Sequence, residues 1–310
     1  MRVLTAALGL ALVAGLGTPL AAHANHWAAA PDAPKIHRVE KVAENVYCIF
    51  GQGGNIGLIV TEKHAVLIDD QFERLVPGLI EAVRSITDKP IKYLINTHGH
   101  PDHVGGNVVL GKQVSAIIAH ANVRRRMVTE QARLDPAKRG GLPELALGSE
   151  DAKERARLDI HLDGTDIHLL HLGPGHTDGD VLVGIPAVLA MHMGDLFFLG
   201  SLPYIDVEGG GSFEGLVAQI TSLASWLPEG ARLIPGHGPV CGKKELLRYR
   251  DFLQAIQAHV KANPTQDAAA LAASFEGAAW PEWQSRKDFV TWETLFAVAS
   301  GKGPGRVARP

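Results

Sequence analysis

The chain has 310 residues, 46% of them hydrophobic and 20% charged, which is enough apolar surface for one large core or two small ones and excludes a disordered chain or a disulfide-stapled miniprotein. Gly 34 and Pro 18 together make about one residue in six, so many turns join short elements and a long coiled coil is excluded. A net charge of −3 supplies no basic field, so no nucleic-acid partner is expected.

Residues 1–24 carry one charge, Arg2, then an apolar run from Val3 to Leu16, a break at Gly17 and Pro19, and the small-x-small triplet Ala22-His23-Ala24. This is the pattern of a removed secretory signal peptide, and it predicts an exported protein, in a bacterium a periplasmic one. No second long apolar run follows, so no stable membrane insertion is expected once the leader is gone. Cys48 and Cys241 stand far apart in sequence and outside any metal-type cysteine spacing; they pair only if the fold brings their Cα atoms within about 7 Å.

The first third reads as short strands, Ile36 to Val42, Val46 to Phe50, Asn55 to Val60 and Ala65 to Ile68, separated by Gly51 to Gly54 and Thr61 to His64. Leu75, Leu79, Ile80, Val83 and Ile86 then repeat at helical spacing, and Ile91 to Asn96 is a buried-type strand. A helix near Gly106 to Gly111, a strand at Ser115 to Ala119 and a charged stretch from Asn122 to Asp159 come next. Strands are expected at Asp166 to Leu170, Val181 to Ile185 and Val188 to Met191, and again at Arg232 to Ile234 between helices Leu216 to Leu227 and Glu245 to Val260. Phe289, Trp292 and Phe296 read as one face of an amphipathic helix docked on the body, in preference to an aromatic substrate wall. A meander that gives way to alternating strands and helices predicts a mixed α/β fold, two sheets face to face with helices outside. The expected organisation is a leader at 1–24, a catalytic domain at 25–262 and a helical extension at 263–310 packed on it.

The strand ending at Asn96 runs into Thr97-His98-Gly99-His100-Pro101-Asp102-His103, three imidazoles and a carboxylate within six residues. Two histidines two apart on a tight turn can face one cation, and Asp102 with His103 at a helix start can face another. Imidazole and carboxylate without thiolate favour zinc among common metals, with iron, manganese or cobalt compatible. Further candidate ligands follow later strands: His176 in Gly173-Pro174-Gly175-His176, Asp195 after Gly194, and His237 after Gly236. The remaining His120, His161, His168, His171, His192 and His259 lack such context and are read as surface or core residues.

With Asp69 after the strand Ala65 to Ile68, the His98 to His103 motif, His176, Asp195 and His237, the sequence resembles the metallo-β-lactamase superfamily from about Ile36 to Val260. The resemblance implies an αβ/βα four-layer sandwich with a two-metal site, normally zinc, on its open edge. It implies that His98, His100 and His176 hold one metal, that Asp102, His103 and His237 hold the other, that Asp195 bridges both, and that Asp69 orients the histidine loop. Two such cations lower the pKa of a shared water toward 7, which implies hydrolysis of an ester, thioester, lactone or lactam carbonyl in a small-molecule substrate, with Asp102 also placed to accept a proton.

Within that superfamily the residues are compared branch by branch. One zinc lactamase subclass has cysteine at the position of Asp195 and lysine at that of Phe198, and another usually lacks the bridging aspartate, so lactam hydrolysis is expected to be weak. The site is more similar to those of glyoxalase II and the lactonases. Flavodiiron oxidoreductases place glutamate where His100 stands and fit badly, whereas persulfide dioxygenases, which hold one iron with part of this set, and a non-catalytic metal-binding module are the alternatives. Substrate contacts are expected from the hairpin Gly51 to Asn55, read as mobile, and from Phe197 to Phe213, where Phe197, Phe198, Leu202, Tyr204 and Ile205 offer an apolar wall, or Phe197 and Ile205 simply pack under the loop, and where Ser201 or Tyr204 offers an oxyanion donor. Arg124, Arg125, Arg126, Arg133, Lys138 and Arg139 are read as a solvated helix face in preference to an anion-binding surface.

Overall fold

The computed structural model describes residues 36–136, 139–151 and 153–301; the leader read at 1–24 lies outside them. In chain order, β1 (Arg38–Ala43), β2 (Val46–Phe50), β3 (Ile56–Val60) and β4 (Ala65–Ile68) form the expected meander, followed by α1 (Val76–Arg84) and β5 (Ile91–Ile95). The single turns α2 (Pro101–Val104) and α3 (Asn107–Leu110), then β6 (Ala116–His120), α4 (Ala121–Gln131) and β7 (Leu145–Leu147), complete the first half. The second half holds β8 (Ala156–Leu162), β9 (Thr165–His171), β10 (Leu182–Ile185), β11 (Ala190–Phe198), β12 (Gly200–Ser201), α5 (Phe213–Trp226), β13 (Arg232–His237), β14 (Cys241–Gly242), α6 (Lys243–Ala262), α7 (Ala268–Ser274), β15 (Trp283–Gln284) and α8 (Trp292–Ala299).

Strands β1 to β7 build one sheet in sequence order, and the second sheet runs β14-β13-β11-β10-β9-β8. Side-chain alternation along each strand then dictates four layers. In β4, Val66 and Ile68 enter the core between the sheets, with Ile118, Ile167, Leu169 and Ile234, while Ala65 and Leu67 face α1 through Leu79, Ile80 and Val83. On the far side, Met191, Met193 and Leu233 meet α5, α6 and α8 through Leu216, Ile220, Leu246, Phe252 and Phe296. The structure is thus the α/β sandwich that the pattern predicts. Among the described residues no helix is long and apolar enough to cross a membrane.

Several local expectations change. The charged stretch after Asn122 contains α4 and also β7 and β8, where Leu158, Ile160 and Leu162 alternate with exposed Arg157, Asp159 and His161. The strand placed at Val188 to Met191 is instead a nine-residue strand, β11, that begins at Ala190 and is buried throughout. Its pairing with β13 slips between His192 and Gly194, so Asp195 sits inside an irregular strand and not on a loop that follows one; such irregularities re-aim a side chain. Cys48 and Cys241 are both free and buried, and burial raises both thiols, Cys241 to about 12.

The C-terminal segment is tied to the body by pairing as well as by packing. β15 lies parallel to β12, with Gly200 opposite Trp283 and Ser201 opposite Gln284, and the Trp283 indole N–H donates to the Phe198 carbonyl at 2.8 Å. Trp283 is also stacked on Phe252 of α6, with ring centroids 4.6 Å apart. Phe289, expected on the helix, precedes it, while Thr291 caps α8 by accepting from the Thr294 N–H and Phe296 is buried against α6. Replacing Trp283 by Ala removes a fully buried ring and the hydrogen bond together, and we expect about 3–5 kcal/mol of lost stability. A urea midpoint shift of under about 1 kcal/mol equivalent at unchanged slope shows that this anchor is dispensable.

Candidate metal centre

The seven predicted side chains converge at the edge where β4, β5, β11 and β13 end. His98, His100, His176 and Asp195 bring their ligand atoms within 4.8 Å of one another, and so do Asp102, His103 and His237. Asp195 also joins the groups: its Oδ2 lies 3.6 Å from His176 Nε2 and 3.4 Å from His237 Nε2, and its Oδ1 lies 3.2 Å from His103 Nε2. Asp102 Oδ2 is 3.4 Å from His237 Nε2 and 3.6 Å from His103 Nε2.

The hydrogen bonds behind the rings fix which nitrogen of each faces inward. The Thr97 hydroxyl donates its one proton to Asp69 Oδ2 at 2.7 Å, so toward His98 Nδ1, 3.1 Å away, it accepts. His98 Nε2 is therefore a bare lone pair. His100 Nε2 donates to Asp206 at 2.9 Å, which bares Nδ1; His176 Nδ1 donates to the Tyr204 carbonyl at 2.8 Å, which bares Nε2; His103 Nδ1 donates to Asp69 at 2.7 Å, which turns Nε2 toward Asp195. The lone pairs of His98 and His176 then face that of His100 at 3.1 and 3.0 Å with no proton between them. His103 Nε2 and Asp195 Oδ1 are buried without any hydrogen-bond partner. Acceptors held lone pair to lone pair are stable around a cation, and three partners of the imidazole N–H groups have the orienting role seen at metal centres. The donor set, imidazole and carboxylate with no thiolate, fits a pair of divalent cations of the zinc, iron or manganese type.

The electrostatics point the same way. Burial pushes His98 well below the ordinary histidine value and His176 down to about 4, so both are neutral and able to ligate near pH 7. Burial also opposes charge on His103, but the carboxylates of Asp195, Asp102 and Asp69 outweigh it and hold that ring well above its usual range. Against its own burial, Asp195 is held well below the usual carboxylate range by His237, His103 and His98. The centre therefore attracts positive charge.

Backbone conformation is part of the construction. Asp69 and Gln71 occupy the left-handed region at φ 63° and 58°, where side-chain-bearing residues are uncommon, and this turn aims the Asp69 carboxylate at the Thr97 N–H, the Thr97 hydroxyl and His103. A Cβ at Gly54 would overlap the His103 ring and one at Gly236 would overlap Asp195 Oδ1. The hairpin expected to be mobile is pinned beside the site: the Gly54 and Asn55 N–H groups donate to the carbonyls of Asp102 and Gly236, and Asn55 Nδ2 donates to those of Pro235 and Gly238.

A cavity of about 360 Å³ opens onto His100, Asp102, Asp195 and His237, walled by Gly53, Phe72, Ser201, Tyr204 and Phe289. Ser201 and Tyr204 thus border it as expected, but Phe198 does not; it is buried and stacked on His237 with centroids 5.2 Å apart, because the strand carrying it turns inward under β15. Phe197, Leu202 and Ile205 are likewise buried beneath the loop. None of the α4 arginines borders the cavity, and Arg126 is paired with Asp178. Sequence reasoning missed Asp206, whose carboxyl His100 and the Gly209 N–H hold at about 2 against its burial, and it missed Phe72, Arg286 and Asp288. Asp206 carried a usable signal, an acidic residue four before Gly210 in a loop already suspected; Arg286 carried none. Of the histidines set aside, His120 and His171 are buried ring against ring at 4.0 Å and His192 is buried against Asn55, whereas His161 is largely exposed.

Comparison with known proteins agrees with this geometry. The model of the metallo-beta-lactamase superfamily matches residues 49–237. A hydroxyacylglutathione hydrolase of Haemophilus influenzae is 31% identical over 197 residues, 63% of this chain and 89% of its own length. The fold is shared with a metallo-beta-lactamase from Pontibacter korlensis, at TM-score 0.56 and 19% identity over 70% of this chain and 99% of the other. It is shared too with a sec-alkylsulfatase from Pseudomonas sp., at TM-score 0.65 and 15% identity over 87% of this chain and 50% of the other. The chain belongs to the metallo-beta-lactamase superfamily and is a metal-dependent hydrolase.

Proposed function

We propose that this hydrolase holds two zinc ions per chain and opens the carbonyl of a small ester, thioester, lactone or lactam. The observation that carries the proposal is the position of Asp195 between two donor sets, each with three further ligand atoms. A bound pair of divalent cations supplies a Lewis acid and a water deprotonated near neutral pH. Every other task falls to the chain. Asp102, facing the cavity with its Oδ2 3.4 Å from His237, is the proton acceptor. Tyr204 and Ser201 border the space where the carbonyl oxygen develops charge and are the hydroxyl donors available to it. Phe72 and Phe289 exclude water from the apolar part of the substrate.

Similarity to the hydroxyacylglutathione hydrolase of Haemophilus influenzae supports assaying thioesters first. The absence of a cysteine and lysine at Asp195 and Phe198 supports a weak action on lactams. The apolar leader at residues 1–24 supports export to the periplasm, to be checked by the protein's distribution between cell fractions and by the N-terminal residue of the mature chain.

Metal content by elemental analysis, paired with turnover of a thioester, a lactone and a chromogenic cephalosporin, tests the reading. About two zinc per chain with hydrolysis of one of the panel is the expected result; a single iron with none sinks it. Asp195→Ala should lower the zinc content to about one or less and hydrolysis by roughly a hundredfold or more, since one carboxylate serves both sets. Full occupancy with full activity would remove the bridging role. Asp206→Asn, which weakens the bond orienting His100, should reduce metal affinity by about 10–100-fold while leaving the thermal transition of the metal-free protein within a few degrees. His120→Ala is expected to cost stability by opening a buried site at the start of α4 and to leave metal content alone; a lost metal equivalent contradicts the ligand assignment.

A further inference from the structure

We infer that Arg286 makes this enzyme selective for substrates that carry a carboxylate at the end of an apolar acyl or leaving group, a reading that rests on the hydrolase function proposed above. Among the described residues bordering the cavity, Arg286 is the only lysine or arginine. The same cavity is bordered by His100, Asp102, Asp195 and His237 of the candidate metal centre and by the rings of Phe72, Tyr204 and Phe289. A substrate that sets its carbonyl at the donor atoms and its apolar part against those rings therefore shares its cavity with a guanidinium.

The position of Arg286 is fixed by the fold. β15 pairs with β12, and the Leu202 N–H donates to the Gln284 carbonyl at 3.1 Å, so the strand leading to Arg286 is in register with the strand carrying Ser201. The next residues form a tight turn in which the Arg286 N–H donates to the Val290 carbonyl at 2.8 Å and the Phe289 N–H to the Arg286 carbonyl at 3.1 Å. Phe289 then lies 6.1 Å, ring to ring, from both Phe198 and Tyr204. The guanidinium itself is oriented by Asp288, which accepts from Nη2 at 2.6 Å and from Nε at 3.3 Å.

A guanidinium binds carboxylates on two edges. Here the Nε–Nη2 edge faces Asp288, and the Nη1–Nη2 edge is the one that can take a ligand carboxylate in a forked pair. Asp288 thus acts as a positioning residue, and its negative charge does not occupy the second edge. Side chains of the pair are 55% and 70% exposed, so the pair is weakly held and adjusts to a ligand. Asp288 also disfavours a second negative charge nearby, which fits a monocarboxylate better than a dianion such as a phosphate.

The test uses two thioesters identical except that one ends in a carboxylate and the other in its methyl ester, with the thioether analogue of each, which cannot be hydrolysed, as binding probes. The zinc-loaded wild-type enzyme should favour the carboxylate of each pair in kcat/KM and, by titration calorimetry, in Kd. In Arg286→Gln both ratios should fall about five- to tenfold, with Arg286→Lys between, because lysine keeps the charge and loses the fork. Each ratio compares two ligands on one protein sample, so partial misfolding cancels. Ratios that stay within twofold of wild type in both measurements overturn the proposal. If neither thioester is turned over by the wild type, only the thioester branch of the hydrolase reading fails, and the thioether ratio alone decides the role of Arg286.

Discussion

The structure depends on one unfavourable arrangement, the lone pairs of His98, His100 and His176 held about 3 Å apart and beside the Asp195 carboxylate. Left to themselves, these groups separate or take up protons. They are held together by commitments made on the far side of each ring: the Thr97 hydroxyl, the Asp206 carboxylate, the Tyr204 carbonyl and, for His103, the Asp69 carboxylate. These partners come from three loops, those after β4, β5 and β12, so the ends of those strands must be fixed before the centre exists. The two sheets and their shared core provide that fixation, which is why the ligands can come from residues as distant in sequence as His98 and His237.

The cost of such a centre shows in the backbone. Asp69 and Gln71 both sit in the left-handed region, a conformation costing roughly 1–3 kcal/mol at each residue. Gly54 and Gly236 stand where any side chain would displace His103 or Asp195. Left-handed residues also occur at Asn45, Asp163 and Leu189, in the connections between strands, but at the ligand edge two of them stand beside buried acceptors and close glycine contacts. A fold selected for stability alone has no reason to concentrate strain, buried acceptors and close glycine contacts around one point.

The candidate ligands that the structure brings together were legible in the sequence because they are local or punctuated. His98 to His103 lie in one stretch, and His176, Asp195 and His237 each follow a glycine after an apolar run. The layers were legible through the short, nearly continuous apolar runs of β4, β5 and β6, which mark strands buried on both faces. β8 was equally legible, since Leu158, Ile160 and Leu162 alternate with charged residues, but the surrounding charge hid the period. What could not be read is what depends on long-range pairing. Asp195 reads as a loop residue, because only the slipped register between β11 and β13 reveals that a strand carries it. Phe198 reads as a substrate wall, because its inward turn is imposed by Trp283 some 80 residues later.

That last pairing changes the status of the C-terminal segment. A helix that merely covers an apolar face needs packing, and α8 has it through Leu295 and Phe296. The β12–β15 bridge and the Trp283 bond to the Phe198 carbonyl go further, because they fasten the segment to the loop that borders the cavity. Phe198 in turn is stacked on His237, so a displacement of Trp283 is transmitted through two contacts to the edge of the second donor set. The candidate metal ligands end at His237, yet Arg286 and Phe289, which border the cavity, lie beyond residue 280. The chemistry and the choice of substrate are therefore built by different stretches of the chain, and the short parallel bridge is where the two are held in register.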